Sequence, residues 1–337
     1  MPGPWRMPDE GEPHRRTWMA FGAQRKIWRK LLPKVRNDLA AVARAIAEFE
    51  PVTMLVRPDE RALAAPLCGP KVVLVECALD DLWIRDTGPT FVLDPAGRLG
   101  AVDLHFNGWG DKQQHAHDAG VAAFVARQAK AERLGADLVG EGGGLEVDGR
   151  GTAIVAESCL LNPNRNPGRS KADCEAALKK LLGLRKIVWL PGVRGKDITD
   201  GHTDFYARFA KPGVVVAALD PDPQSFDHKI TREHLKLLKA STDADGKAFE
   251  VVTLEAPTKP RWRGEREEFA AGYVNYYIGN GFVLAPEFGD PQADDRCRRT
   301  LEKLFPGRKV VQRDIDGIAA GGGGIHCATQ QEPLPAA

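Results

Sequence analysis

The alternation of apolar and polar positions along the chain repeats one order of elements. In EVDGRGTAIVAE (146–157) two short apolar runs flank a glycine turn, which predicts a β-hairpin. SKADCEAALKKLLG (170–183) follows, with a serine start signal, apolar residues at helical spacing and a closing glycine. KIVWLP (186–191) is then a compact apolar run ended by proline, the pattern of a buried strand. Hairpin, helix and strand recur at 203–220, 229–241 and 249–256, the hairpin turning at Lys211-Pro212-Gly213. They recur again at 272–289, 290–305 and 309–315, turning at Gly279-Asn280-Gly281. Upstream, 91–106 reads as a hairpin and HDAGVAAFVARQAKAERLG (117–135) as one helix. The first stretch is less regular, a helical pattern over 25–48 followed by the apolar runs VTMLVR (52–57) and VVLVE (72–76).

Helices thus start near residues 117, 170, 229 and 290, at separations of 53, 59 and 61 positions. A near-fixed period of this kind marks a repeat architecture. Five modules of roughly 60 to 67 residues account for the 337. The expected fold class is α/β, a five-bladed α/β propeller of ββαβ modules with pseudo-fivefold symmetry. It would run as one domain over 1–337, ordered over about 7–333, with QQEPLPAA as a frayed Pro-rich tail. A closed ring gives each small sheet a neighbour and leaves one central face where the module junctions meet.

Composition narrows the class. Lys+Arg is 47 against Asp+Glu 46, a formal charge of +1, so no basic surplus exists to neutralise nucleic-acid phosphates. The opening MPGPWRMPDEGEPHRR has no apolar core of a signal peptide. No apolar run approaches the ~18 residues of a membrane span. Six cysteines (68, 77, 159, 174, 297, 327) form no C-x-x-C pair and no metal-ligand spacing. They read as reduced thiols of a cytoplasmic protein, five of them structural.

Polar motifs occupy the junctions after the last strand of successive modules: DDLWIRDTGP (80–89), EGGG (141–144), DGHTD (200–204) and GGGGIHC (321–327). Asp86 to Glu141 is 55 positions, Glu141 to His202 is 61, and His202 to Cys327 is 125, about two periods. One junction, PTKPRWRGEREEF (257–269), is skipped and is expected at the rim. Taken singly, Asp86 reads as a turn cap, His202 as a loop histidine, Glu141 as a solvated acid and Asp204 as half of an ion pair. The shared period instead sends Asp86, Glu141, His202, Asp204 and Cys327 to one axis, which is how catalytic sites are assembled.

A Cys–His pair points to thiolate nucleophilic catalysis. Three carboxylates would oppose the oxyanion of a peptidase, so the site should hold a cation. A guanidinium fits, being planar, charged and rich in N–H donors. Cys327 would attack its central carbon, and His202 would protonate the departing ammonia and then activate water. The carboxylates should raise the Cys327 pKa until the cation binds, making a substrate-assisted thiolate.

The motifs PHRRTWMAF, DDLWIRDTGPTFV, FNGWGDK, EGGGLEVDG, ESCLLNPNRNPG, DGHTD, YVNYYI, APEFGD and GGGGIHC, in this order over about 7–333, resemble the agmatine deiminase family. The resemblance implies the five-bladed α/β-propeller (pentein) fold of guanidine-modifying enzymes. It also implies hydrolysis of agmatine to N-carbamoylputrescine and ammonia through a covalent Cys thiouronium, without metal or cofactor. By motif, Cys327 would be the nucleophile and His202 the general acid/base. Glu141 would orient His202 and touch the guanidinium, and Asp86 and Asp204 would grip its nitrogens. Trp83 and Gly324 are expected to border the substrate. Departures lie at Gly324, where members commonly have Asn, at Gly144, where Ser or Asn is frequent, and at Phe21-Gly22, where Trp-Pro is usual.

Other readings have their own marks. A peptidyl-arginine, free-arginine or guanidino-acid deiminase would keep the same site. Free arginine would need Arg261, Arg263 or Arg266 for its carboxylate, whereas an amine tail would favour Glu265 or Glu267. A metal amidohydrolase would draw on His115, His117 and Asp118, and a non-catalytic propeller would need no Cys–His set. The expected partner is a small cationic guanidino compound, with no nucleic acid or membrane and with homo-oligomer formation left open.

Overall fold

The computed structural model describes residues 5–262, 264 and 269–335; Arg263, Glu265, Arg266 and Glu267 lie outside the described residues. The first strands are β1 His14–Phe21, β2 Val52–Val56 and β3 Val72–Glu76. Next come β4 Thr90–Leu93, β5 Leu99–Asp103 and β6 Glu132–Gly135, then β7 Leu145–Val147, β8 Thr152–Ala156 and β9 Lys186–Leu190. They are followed by β10 Ala207–Lys211, β11 Val214–Leu219 and β12 Glu250–Glu255. The last are β13 Tyr277–Gly279, β14 Phe282–Glu287, β15 Lys309–Asp314 and β16 Gln330–Pro333.

These strands form five small sheets, as the period requires. In four of them the first two strands make an antiparallel hairpin and the third lies parallel to the second. A parallel neighbour needs a long crossover, and a helix provides it each time. The crossovers are Val121–Ala129, Lys171–Leu182, Asp227–Ala240 and Pro291–Leu304. Lys171–Leu182 starts at a capping box between Ser170 and Asp173 and stops at Gly183 in the left-handed region, as its sequence signals.

Two expectations are corrected. The helix read over 117–135 ends at Ala129, where Lys130 turns left-handed (φ 55°). Glu132–Gly135 then pairs with β5, anchored by Arg133 on the Asp103 carboxylate at 2.8 Å. The first half of the expected frayed tail, Gln330–Pro333, is also a strand. β16 pairs antiparallel with β1, and the buried Glu332 accepts a hydrogen bond from Trp18 Nε1 at 2.9 Å. β16 supplies the antiparallel partner that the first module lacks locally, so the two ends of the chain complete one sheet, β16-β1-β2-β3.

A buried ionic network joins the modules behind the junctions. The Arg208 guanidinium, 0% exposed, donates to Glu146 Oε2 at 2.9 Å, to Glu10 Oε1 at 2.7 Å and to the Tyr276 carbonyl. Arg85 donates to the other Glu10 oxygen at 3.0 Å and to Gln331 Oε1 at 2.8 Å. Buried charges are tolerable only when matched and fully hydrogen-bonded in this way. Burial opposes ionisation of Glu10, but Arg208, His326 and Arg85 outweigh it and hold the carboxyl well below its usual range.

Candidate functional site

Each polar junction is a tight turn, so its side chains are delivered from short, rigid segments. Asp86 sits in the single helical turn Ile84–Thr87, directly after Trp83. Glu141 and His202 each immediately precede a 3-10 turn, Gly142–Gly144 and Thr203–Phe205, and Asp204 lies within the second. The turns are sewn together by Thr203, whose hydroxyl donates to the Gly144 carbonyl at 2.8 Å and accepts the Ala156 N–H.

The structure brings five of the sequence-derived residues together. His202 Nδ1 stands 3.7 Å from Asp86 Oδ2, and its Nε2 stands 3.5 Å from Glu141 Oε2. Cys327 Sγ lies 3.5 Å from Asp204 Oδ2. The backbone of Gly143 bridges these two halves. A β-carbon there would fall 2.6 Å from His202 Nδ1, 2.9 Å from Asp86 Oδ1 and 3.2 Å from Asp204 Oδ2. All five side chains are buried, none more than 5% exposed.

Each acid has a different electrostatic setting. Burial raises the Asp86 pKa, and the neighbouring Glu141 and Asp204 charges add to it against the pull of His202. Asp86 is fixed by the Trp109 indole N–H and the Gly143 N–H, both at 3.0 Å. Glu141 is also desolvated, but His202 and Arg165 outweigh the burial and keep it below its usual range. Arg165 Nε reaches the two Glu141 oxygens at 2.8 and 3.0 Å, and its Nη1 reaches Asp200 at 2.9 Å. Burial likewise opposes ionisation of Asp204, yet His326 Nδ1 at 2.7 Å holds it below the normal value. His326 Nε2 in turn meets Glu10 at 3.0 Å. Asp204 Oδ1 is buried with no hydrogen-bond partner, a costly state for a carboxylate oxygen.

Burial disfavours the charged form of His202, but the Asp86 charge and contacts with Cys159 and Glu141 prevail and raise its pKa well above the ordinary value. Burial, then the Asp204 and Asp86 charges, push the Cys327 thiol well up. Asn275 works the other way, its Nδ2 donating to Cys327 Sγ at 3.3 Å while its Oδ1 accepts the His326 N–H at 2.9 Å.

The glycine run before Cys327 allows close approach. A β-carbon at Gly321 would lie 2.1 Å from the Trp28 ring, at Gly323 2.1 Å from the Trp83 ring, and at Gly324 2.3 Å from Asn275 Oδ1. Trp83 therefore lies against Gly323, and Gly324 is covered by the amide that bonds the thiol. Within the skipped junction, Arg261 is engaged with Asp316 at 2.7 Å and Asp314 at 2.9 Å. In the HAHD stretch, Asp118 accepts the Asp80 and Asp81 N–H groups and His115 Nδ1 meets the Gln113 carbonyl.

Sequence reasoning passed over Trp109, Cys159, Arg165, Asn275 and His326 as participants. All five fall inside recognised motifs (FNGWGDK, ESCLLNPNRNPG, YVNYYI and GGGGIHC), so the signal was present but carried no assigned role. Cys159, read as structural, has its Sγ 3.5 Å from Glu141 Oε2.

Residues 6–333 match the model of the Porphyromonas-type peptidyl-arginine deiminase family. A Streptomyces coelicolor relative, provisionally named an agmatine deiminase, is 45% identical over 98% of this chain and 99% of its own. The agmatine deiminase of Stutzerimonas stutzeri is 38% identical over 98% and 95%. The structure of the Enterococcus faecalis agmatine deiminase superposes with a TM-score of 0.92 at 31% identity, covering 98% of this chain and 96% of that one. The chain belongs to the Porphyromonas-type peptidyl-arginine deiminase family, alongside the agmatine deiminases it matches over its whole length.

Proposed function

We propose that the protein is an agmatine deiminase, hydrolysing a guanidine C–N bond to give N-carbamoylputrescine and ammonia. The observation that carries this reading is a buried thiol and imidazole flanked by carboxylates that no side-chain cation among the described residues fully matches. Glu141 has Arg165, but Asp86 has only the imidazole opposite it and Asp204 keeps an unpartnered oxygen. A planar cation with several N–H donors supplies what both acids lack.

With the guanidinium held by Asp86 and Asp204, their charges are offset and the Cys327 thiol can ionise, its proton passing to solvent. The thiolate bonds to the guanidinium carbon. His202, through the Nδ1 that faces Asp86, gives a proton to one nitrogen, and that C–N bond breaks to release ammonia. Water, deprotonated by the same imidazole, then adds to the thiouronium carbon, and the C–S bond breaks to free the ureido product and the thiolate. Glu141, itself held by Arg165, stands 3.5 Å from the far ring nitrogen. Trp83 and Gly324 border the substrate.

An amine tail is favoured over a carboxylate by charge. The described arginines around the site are committed to acids: Arg85 and Arg208 to Glu10, Arg165 to Glu141 and Asp200, and Arg261 to Asp314 and Asp316. The names of the relatives support agmatine too. No helix among the described residues is long and apolar enough to cross a membrane. The six cysteines are free, which fits a cytoplasmic enzyme acting on a small guanidino compound without nucleic acid, whatever its oligomeric state.

The test is ammonia and ureido-product release from agmatine, arginine, a peptidyl-arginine and guanidinobutyrate, with Cys327→Ser alongside. Turnover of agmatine, lost in the variant, is expected. Preference for another guanidine would keep the chemistry and overturn the substrate. Folded wild-type protein that turns over none of them would overturn the reading.

A further inference from the structure

The two faces of the His202 ring look onto different surroundings. Nδ1 faces Asp86 and the Gly143 backbone, which Asp204 also approaches. Nε2 faces away from them, toward Glu141 and Cys159. Glu141 Oε2 is 3.5 Å from His202 Nε2 and 3.5 Å from Cys159 Sγ, and the three donor atoms lie within 4.8 Å of one another. Among the described residues this is the one His/Cys/acid group so arranged, and all three side chains are buried. Nε2 itself has no hydrogen-bond partner.

From these atoms we infer a binding site for Zn²⁺ or a similar thiophilic divalent ion, formed by Glu141, Cys159 and His202 Nε2, through which the metal inhibits the enzyme. The distances suit the ion. Tetrahedral zinc with sulfur at ~2.3 Å and nitrogen or oxygen at ~2.0–2.2 Å holds its ligands roughly 3.4–3.6 Å apart. The charge suits it as well. A thiolate and a carboxylate neutralise the two positive charges, so the filled site adds no net charge to the interior. Arg165 keeps its own second partner, Asp200, at 2.9 Å. Space is available where Gly144 carries no side chain. A β-carbon there would be 3.6 Å from Cys159 Sγ, and a cavity about the size of one water molecule borders Glu141, Gly144 and Cys159.

Binding is a ligand exchange with no redox step. Zn–S, Zn–N and Zn–O bonds form, and the Cys159 thiol proton and the Nε2 proton leave to solvent. The nucleophile is not a ligand. The part of this inference that concerns inhibition rests on the proposed function, because it requires His202 to shuttle protons and a metal on Nε2 pins the ring. The binding itself does not depend on that reading.

The experiment therefore measures both. Zinc affinity is read by competition with a chromophoric chelator on Cys327→Ser protein, and inhibition of agmatine turnover by Zn²⁺ is read on enzyme with Cys327 intact. Cys159→Ala is placed in each background. One zinc per chain is expected on Cys327→Ser, weakened at least tenfold when Cys159→Ala is added, with a matching rise in the inhibitory zinc concentration. Cys159→Ser, which keeps a donor toward Glu141 but offers a poor zinc ligand, should behave the same way and covers a failure of the alanine variant to fold. Cobalt(II) on Cys327→Ser should show a thiolate charge-transfer band that disappears with Cys159. Zinc binding that vanishes in Cys327→Ser and ignores Cys159 would overturn the inference. Absent agmatine turnover with zinc still bound through Cys159 would overturn the proposed function alone.

Discussion

Gly143→Ala is the sharpest probe of how tightly the site is built. Its φ lies outside the left-handed region, so the backbone accepts alanine without torsional strain. The obstacle is contact. The added methyl would stand 2.6 Å from His202 Nδ1 and 2.9 Å from Asp86 Oδ1, where ordinary contact begins at 3.4 Å. The shortfall is about 0.8 Å at the imidazole. Neither neighbour can yield freely, since Asp86 is tied to Trp109 and to Gly143 itself, and His202 is wedged against Glu141. A displacement of about 1 Å in a reacting group costs about 10²-fold in rate. That corresponds to about 2.7 kcal/mol of transition-state stabilisation. Folding should suffer less, because overpacking costs about 1–3 kcal/mol. The lost flexibility of the unfolded chain returns about 0.4–1 kcal/mol. Gly144→Ala is the control on the next residue, its methyl meeting Cys159 Sγ at 3.6 Å and His202 Cδ2 at 3.9 Å, both ordinary contacts. Steady-state ammonia release from agmatine should show kcat/KM down about 10²-fold in the first and within about threefold in the second. Thermal melts check that both fold. A folded Gly143→Ala enzyme of near-normal kcat/KM, or an equal loss in Gly144→Ala, would refute the placement of the reacting groups.

The remaining expectations concern charge. Burial and the Asp204 and Asp86 charges hold the Cys327 thiol up, so a non-reacting amidinium ligand should move its thiolate absorbance titration to lower pH. The signal is the difference from Cys327→Ser, and an unmoved titration would remove the substrate-assisted step. Arg165→Met leaves Glu141 buried without its cation and should cost about 3–5 kcal/mol in urea unfolding. It should also move the acid limb of kcat/KM upward, since Glu141, now held low, would protonate at higher pH; a loss under ~1 kcal/mol with an unchanged limb contradicts this. Burial lowers His234 to about 4, and its Nε2 accepts the Gly192 N–H at 3.2 Å, so the folded state keeps it neutral. The unfolded chain protonates it first as pH falls through about 6.5, so stability should drop between there and pH ~4 by about 3 kcal/mol. His234→Gln should flatten that limb, and identical acid unfolding of the two proteins would contradict it.

What the sequence disclosed and what it concealed divide along a physical line. The hairpins and crossover helices were legible because local apolar periodicity encodes them. The five residues that meet at the site were legible because few residue types do the chemistry proposed for them and they recur on the same period. β6 escaped because three of its four residues, ERLG, are exposed and carry no apolar code. β16 escaped for a different reason. Its polar residues are buried against a partner far away along the chain, Glu332 on Trp18, so its identity as a strand exists only once the ring is closed. Asn275, Arg165 and His326 share that property, each defined by distant partners rather than by neighbours in sequence.

The closure and the site are therefore one problem. Cys327 lies three positions before β16, and Arg85, beside Asp86, donates its backbone N–H to the Cys327 carbonyl at 3.2 Å and its Nε to the His326 carbonyl at 3.2 Å. The same arginine reaches Gln331 in β16 and Glu10, and Glu10 returns through His326 to Asp204. Pairing of the last strand with the first thus fixes Cys327 against the acids. An open ring would leave Cys327 without its aspartates and Asp204 without its imidazole. A chain whose ends failed to meet would carry all five residues and bring none of the others together with Cys327, which is why the proposed chemistry depends on its last polar strand as much as on its cysteine.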